Sequence, residues 1–185
     1  PRVVGHIRSE AQRLVTLIGD IIRLSQLDEG EPMPTETVDL LEVTREAAEN
    51  LQTAAAARDV TVTVEGQPAE LEGVRRLLYE IVYNLCDNAI KYNVTGGRVD
   101  LSVSCTGGTA AVMVRDTGIG IPADQQDRVF ERFYRVDKSH SKASGGTGLG
   151  LSIVKHAVQY HHGVIELKSE LGKGTEIRVT FPVKA

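Results

Sequence analysis

The sequence predicts an α+β protein: a two-layer α/β sandwich, helices covering one side of a mixed sheet, preceded by one long bundle helix. Three observations predict it. Val4, Ile7, Ala11, Leu14, Ile18 and Ile21 recur at alternating three- and four-residue spacing, the seam of a helix that packs on other helices. Beyond Pro32 and Pro34, helical periods alternate with short strand-like runs. Late in the chain, a glycine-rich stretch runs directly into a helical pattern from Leu149 to Tyr160.

Residues 2 to 28 form the bundle helix, with Leu17, Ile22 and Leu24 widening its apolar stripe. One helix cannot hide such a stripe alone, so partner helices are expected. The prolines of Gly30-Glu-Pro32-Met-Pro34 end it and open a linker. The division is a helical segment 1–30, a linker 31–37 and a domain 38–185. An alanine- and glutamate-rich helix is expected from Leu40 to Arg58, and an alternating strand from Val60 to Glu65. A helix from Gly73 to Tyr92 follows, then strands Arg98–Cys105 and Thr109–Arg115 joined at Gly107-Gly108. Pro122 starts a short helix reaching Phe133. The serine-rich loop from Val136 to Gly146, with Lys138, His140 and Lys142, reads as a lid. A hairpin of Val164–Ser169 and Glu176–Phe181 closes the chain.

Three motifs carry the chemistry. In Asn84-Leu-Cys-Asp-Asn88-Ala-Ile-Lys91-Tyr92, the residues Asn84, Asn88 and Lys91 share a helix face at i, i+4 and i+7. Leu77, Ile81, Leu85 and Ala89 form an adjacent face that can pack into a core. Asparagine is a weak helix former and costly to bury unpartnered. Its carboxamide oxygen suits Mg2+, and Lys91 is a point charge for phosphate oxygens. In Asp116-Thr-Gly118-Ile-Gly120, a carboxylate at a strand end can accept from an exocyclic amine, favouring adenine, while the glycines let backbone approach closely. In Gly145-Gly146-Thr147-Gly148-Leu149-Gly150-Leu151, backbone N–H groups at a helix start make an anion site. Standing alone, these motifs also fit an exposed polar helix face, an Asp/Gly turn and a flexible loop. Together they describe a pocket for Mg-ATP. Neither a P-loop nor a Rossmann glycine pattern is present.

In order and content these motifs resemble the catalytic part of a bacterial sensor histidine kinase, in the ATPase family shared with DNA gyrase, the Hsp90 chaperones and MutL. The N box is Asn84 to Tyr92, the G1 box Asp116 to Gly120, the F box Phe130-Glu-Arg-Phe133-Tyr134-Arg135 and the G2 box Gly146 to Gly150; Gly172-Lys-Gly174-Thr175 closes the pattern. The resemblance implies a Bergerat-type ATP-binding fold. It assigns Asp116 to the adenine amino group, with Thr175 beside it, and Asn88 and Asn84 to the magnesium ion. Lys91 and Tyr92 would contact phosphate and line the pocket. Arg135 would reach the terminal phosphate, and Gly146, Gly148, Leu149 and Gly150 would wrap the phosphates; Gly118 and Gly120 complete the nucleotide loop.

The hydrolysing branches resemble one another in carrying a glutamate base where Asn84 stands. A carboxamide cannot take a proton from water at neutral pH. Slow hydrolysis and transfer to another acceptor are therefore expected. The segment Glu10 to Gly30 resembles the second helix of the dimerisation and phosphotransfer hairpin. The family's phosphoacceptor box is absent, and the chain begins at Pro1. The acceptor histidine, on the same or a partner protomer, is expected outside this segment, with a response regulator downstream and a homodimer through the hairpin helices. Of the histidines, His6 reads as a helix-surface residue. His161 and His162 sit at a helix end, where a partly charged imidazole suits the dipole. His156 is structural or solvent-facing, and His140 lies in the lid. A protein serine kinase of the same fold, or a non-catalytic interaction domain, is the alternative.

Composition fits one ordinary domain plus a helix: 185 residues with net charge −4. No basic tract suggests nucleic acid. Cys86 and Cys105 lie far apart in this topology, so no disulfide or cysteine function is expected. No apolar run approaches the ~18 residues of a membrane span, and no signal peptide is recognised. The segment is expected in the cytoplasm, with the intact protein anchored in the bacterial membrane.

Overall fold

A computed structural model describes residues 2–30, 32–136 and 148–183. Helix α1 (Arg2–Asp28) matches the expected bundle helix. Its seam residues Val4, Ile7, Leu14, Ile18 and Ile21 are exposed, whereas Leu24 is buried. Leu17 and Leu24 pack on Leu149 and Ile153, so the edge of the stripe, not its centre, meets the rest of the chain.

Strand β1 (Glu36–Asp39) pairs antiparallel with β3 (Glu70–Gly73). Neither strand was expected, and β1 takes Glu36 and Thr37 from the linker range. Asp39 joins three pieces: its Oδ1 accepts the N–H of Leu41, capping helix α2 (Leu40–Asn50), and the N–H of Ala69. The helix expected over 40–58 is interrupted at Leu51, which leaves helical geometry with its side chain buried; α3 (Gln52–Ala57) resumes beyond it.

The main sheet has the order β2-β4-β5-β7-β6, with β2 (Thr61–Gly66), β4 (Arg98–Thr106), β5 (Thr109–Asp116), β6 (Val164–Glu170) and β7 (Gly174–Pro182). Among the described residues only β2 and β4 run parallel, and α4 (Arg75–Lys91) lies in their connection. The other pairs are antiparallel. Alternation places Val99, Leu101 and Val103 of β4, with Val112 and Val114 of β5, in the core. Over them pack α2, α4 and α5 (Gly150–Tyr160). This is the mixed-sheet sandwich the sequence predicts. Leu77, Ile81, Leu85 and Ala89 are buried as expected, joined by Leu78, Val82, Cys86 and Ile90, because α4 lies between the sheet and neighbouring helices.

The helix expected from Pro122 to Phe133 is not formed. A 3-10 turn covers Ala123–Gln125, and turns follow. Arg128, Glu131 and Tyr134 donate to the carbonyls three residues back, at Gln125, Arg128 and Glu131. The segment is held from outside: Gln126 Nε2 donates to the carbonyls of Ile121 and Ser169, and the Phe133 N–H donates to the Gly148 carbonyl. Phe133 takes φ +61° there, a conformation that ends a helix.

His161 also departs from expectation. It is buried at the end of α5, with its Nδ1–H on the Ala157 carbonyl at 2.7 Å and its Nε2 accepting the Val74 N–H at 3.0 Å. Burial pushes its pKa down, so it is a neutral strut capping α4 rather than a charged dipole partner. His6 is exposed on α1. The expected lid, Val136 to Gly146, lies outside the described residues from 137 onward, and His140 with it.

Candidate nucleotide-binding site

The candidate site has two ends, one around Asp116, expected to take adenine, and one around Asn84 and Asn88, expected to take phosphate. Asp116 is the last residue of β5, registered opposite Thr175 at the start of β7. Among the described residues its hydrogen bonds fall on Oδ1, which accepts the N–H of Gly118 at 2.8 Å and of Thr175 at 3.2 Å. Burial raises the carboxyl pKa, and those two N–H groups oppose the rise. Oδ2 carries no bond within this set.

The glycines are required by close backbone approach. A β-carbon on Gly118 would stand 2.5 Å from the Tyr92 carbonyl oxygen. Gly174 has φ +124°, and a β-carbon there would overlap the Asp116 carbonyl. Gly120, with φ +72°, lies equally tightly on the Glu170 carbonyl. Backbone bonds lock these loops together: Ile119 N–H to Tyr92 carbonyl, and Gly172 N–H to Ile119 carbonyl. Asn93 and Thr117 extend the lock to β4, since both side chains bond at Arg98.

Ser169 and Gln126 also belong to the site, although neither carries a local sequence signal. The Ser169 Oγ receives the Ile121 N–H at 2.8 Å and lies 3.0 Å from the Gly174 carbonyl and 2.8 Å from the Thr175 hydroxyl. Only the position of Ser169 three residues before Gly172 of the closing glycine loop could have flagged it.

At the phosphate end, Asn84 and Asn88 lie half-buried on α4. The Asn84 Nδ2 donates to the Glu80 carbonyl at 2.8 Å, which leaves its oxygen facing the start of α5. A β-carbon on Gly150 would stand 3.2 Å from that oxygen and 3.9 Å from the Asn88 Nδ2. Gly150 therefore permits the approach of the two helices. The Asn84 carboxamide oxygen, its amide already engaged, is a ligand that fits a hard cation, and the helix start beside it suits phosphate oxygens. The Leu149 side chain makes no cap hydrogen bond to α5.

Lys91 ends α4 and pairs with Asp87 at 2.8 Å, a partner the sequence reading did not supply. Tyr92, the next residue, lines the G1 loop through its carbonyl. Arg135 lies half-buried two residues beyond Phe133, whose N–H meets the Gly148 carbonyl. Gly148 has φ +78°. Gly146 lies outside the described residues. Cys86 is buried on α4, its pKa pushed up to about 12 by burial and then by Asp87, and it is no nucleophile.

The phosphate end also touches α1. Arg23 bridges Asp20 and the buried Glu80, one turn before Asn84. Asp28 pairs with Arg132 of the F box and lies 3.7 Å from His156 of α5. The Arg132 hydrogen bond lowers the Asp28 pKa. Met33 N–H donates to the Tyr160 hydroxyl, tying the linker to α5.

A mixed sheet whose paired strands present an aspartate, next to a helix face of asparagines and a glycine-led helix start, defines an ATPase-type nucleotide fold. The model of the histidine kinase-, DNA gyrase B- and HSP90-like ATPase family matches residues 73–185, and the chain belongs to that family. The sensor-like histidine kinase SenX3 of Mycolicibacterium smegmatis is 40% identical over 176 residues, 94% of this chain and 46% of that protein. The chain thus spans about half the length of such curated relatives. Among solved structures, the mycobacterial sensor histidine kinase MprB has 32% identity and a TM-score of 0.71, covering 80% of this chain and 97% of that one. Full-length ShkA in complex with AMPPNP has 27% identity and a TM-score of 0.83, covering 100% of this chain and 39% of that one. Among the described residues no helix is long and apolar enough to cross a membrane.

Proposed function

We propose that this chain is the ATP-binding kinase domain of a two-component sensor histidine kinase, joined to the second helix of its dimerisation hairpin. The observation that carries the reading is Asp116: both backbone donors engage one carboxylate oxygen, leaving the other for an amine. The domains are then the hairpin helix 1–30, the linker 31–37 and the catalytic domain 38–185, with β1 extending the last toward the linker.

Asp116 and Thr175 hold adenine, with Gly118 and Gly120 setting the backbone of the loop. Tyr92, Lys91, Arg135 and the turn Gly146, Gly148, Leu149 and Gly150 take the ribose and phosphate side. Lys91 exchanges Asp87 for phosphate oxygens. Asn88 and Asn84 would hold Mg2+, which neutralises phosphate charge when bound. The γ-phosphoryl group passes in line to an acceptor imidazole outside this segment: the bond to the β-phosphate oxygen breaks, a nitrogen–phosphorus bond forms, and ADP leaves. The phosphoryl group then moves to a response-regulator aspartate. The exposed seam of α1 pairs with hairpin helices of a homodimer. The intact protein would be anchored in the bacterial membrane with this part in the cytoplasm.

Incubating a chain that joins this segment to its acceptor helix with γ-labelled ATP tests the reading. Acid-labile protein label is expected, because phosphohistidine is acid-labile. Acid-stable label would instead show a serine kinase. Steady-state hydrolysis should stay slow, since Asn84 cannot act as a base; appreciable hydrolysis lost on Asn84→Ala would contradict that.

A further inference from the structure

We propose that Ser169 fixes the hydrogen-bonding polarity of the Thr175 hydroxyl and so helps the pocket choose adenine over guanine. The inference rests on the reading of Asp116 and Thr175 as the base-binding pair.

The Ser169 hydroxyl sits among three polar groups at hydrogen-bond distance. The Ile121 N–H can only donate to it, and the Gly174 carbonyl can only accept from it. A hydroxyl has one proton and two lone pairs. With Ile121 on one lone pair and the proton given to Gly174, the remaining lone pair faces the Thr175 hydroxyl at 2.8 Å. Thr175 must then donate to Ser169. This assignment satisfies every contact. The reverse, with Ser169 donating to Thr175, leaves the Gly174 contact without a proton.

The consequence lies at the pocket. Its proton spent on Ser169, the Thr175 oxygen offers lone pairs only. The neighbouring Asp116 carboxylate, when ionised, likewise only accepts. The substituent at the 6-position of the base therefore meets acceptors. Adenine presents an amine there and matches; guanine presents a carbonyl oxygen and is left facing lone pairs. A binding site built for a donor rejects a group that lacks one more strongly than it rejects a change of size.

Ser169 is itself held. Gln126 Nε2 donates at 3.0 Å to both the Ser169 and Ile121 carbonyls, which fixes the end of β6 against the loop that brings Ile121 N–H onto the hydroxyl. The register pairs Ser169 directly with Thr175 across β6 and β7. Ser169 is thus a positioning residue that acts on ligand through Thr175.

Competition calorimetry with non-hydrolysable ATP and GTP analogues tests this on wild type, Ser169→Ala, Thr175→Val, the double variant and Asp116→Asn. In Ser169→Ala the Thr175 hydroxyl is released to rotate and donate. The preference for the ATP analogue should then fall about five- to tenfold, the worth of one neutral hydrogen bond. Ser169→Thr, which keeps the hydroxyl, should retain the preference. In a Thr175→Val background, Ser169→Ala should change the preference no further. Should Ser169→Ala not fold, Ser169→Cys, a weak acceptor, carries the same comparison. Equal loss of both affinities would make Ser169 merely structural and overturn the proposal, as would a wild type that binds both analogues alike. Asp116→Asn separates the two levels. If it binds the ATP analogue like wild type, the adenine reading itself fails; if it loses binding while Ser169→Ala keeps the preference, only the role of Ser169 fails.

Discussion

The two ends of the site are built by different means. At the end proposed for adenine, Asp116 and Thr175 face each other in strand register, and the loops around them are tied backbone to backbone through Tyr92, Ile119 and Gly172 and, at Ile121, to the Ser169 hydroxyl. At the phosphate end, the side chains come from α4, the F box and the start of α5, and several hold partners other than a nucleotide: Lys91 with Asp87, Arg132 with Asp28, Arg23 with Glu80. The first end is a fixed socket. The second is joined to α1 by contacts that can be exchanged. On the proposed function, a kinase that recognises one base and carries its phosphate to a separate helix needs that division: specificity on a rigid frame, transfer on a movable one.

Substitutions should separate the two ends. Gly174→Ala forces a side chain into a left-handed conformation against the Asp116 carbonyl. It should cost about 2–3 kcal/mol of stability in chemical denaturation and weaken ATP-analogue binding with it. Gly172→Ala, also left-handed with φ +81° but in open space, isolates the conformational part and should cost about 1 kcal/mol. Equal losses would show that the close approach at Gly174 is not what demands glycine.

Leu24→Ala acts at the other end. It removes a buried side chain between α1 and α5, worth about 2 kcal/mol or more of packing. Expected is faster proteolysis within the linker and faster amide exchange in α1, with ATP-analogue affinity held within about twofold of wild type. A large loss of affinity would mean that the docked helix, not the domain alone, shapes the phosphate end.

The smallest effect is a pH dependence at the rigid frame. His161 has its pKa lowered by burial below the ordinary 6.5. The unfolded chain then binds the proton first as pH falls, so stability is present above the unfolded value and is lost on acidification through the folded one. Between pH 7.5 and pH 5.5 the melting temperature should drop, and His161→Gln should flatten that slope while lowering stability at neutral pH. An unchanged slope would place the titration elsewhere.

Legibility followed physical signal. The helices α1 and α4 and the strands β4 to β7 were readable because each repeats a period over many residues, and the Asn84, Asn88 and Lys91 face follows from helical spacing alone. The two short strands β1 and β3 were missed because Glu36-Thr-Val-Asp39 and Glu70-Leu-Glu-Gly73 are too short and too polar to show alternation. The F-box helix was misjudged because its fate is set by Gln126 and Phe133 reaching distant backbone, which no local propensity records. Asp116 was readable from its motif, whereas its nearness to Thr175 came from the family likeness. Ser169 and Asp39 were invisible for a common reason: one hydroxyl or carboxylate bonding to backbone across the fold has no periodic trace.

The most direct test of the central claim is calorimetric titration of a non-hydrolysable ATP analogue, with and without Mg2+, on this chain and on Asp116→Asn. The account predicts micromolar, Mg2+-dependent binding to the wild type and a loss of about a hundredfold or more on the substitution. A folded wild type that does not bind, or an Asp116→Asn variant that binds equally well, would contradict it.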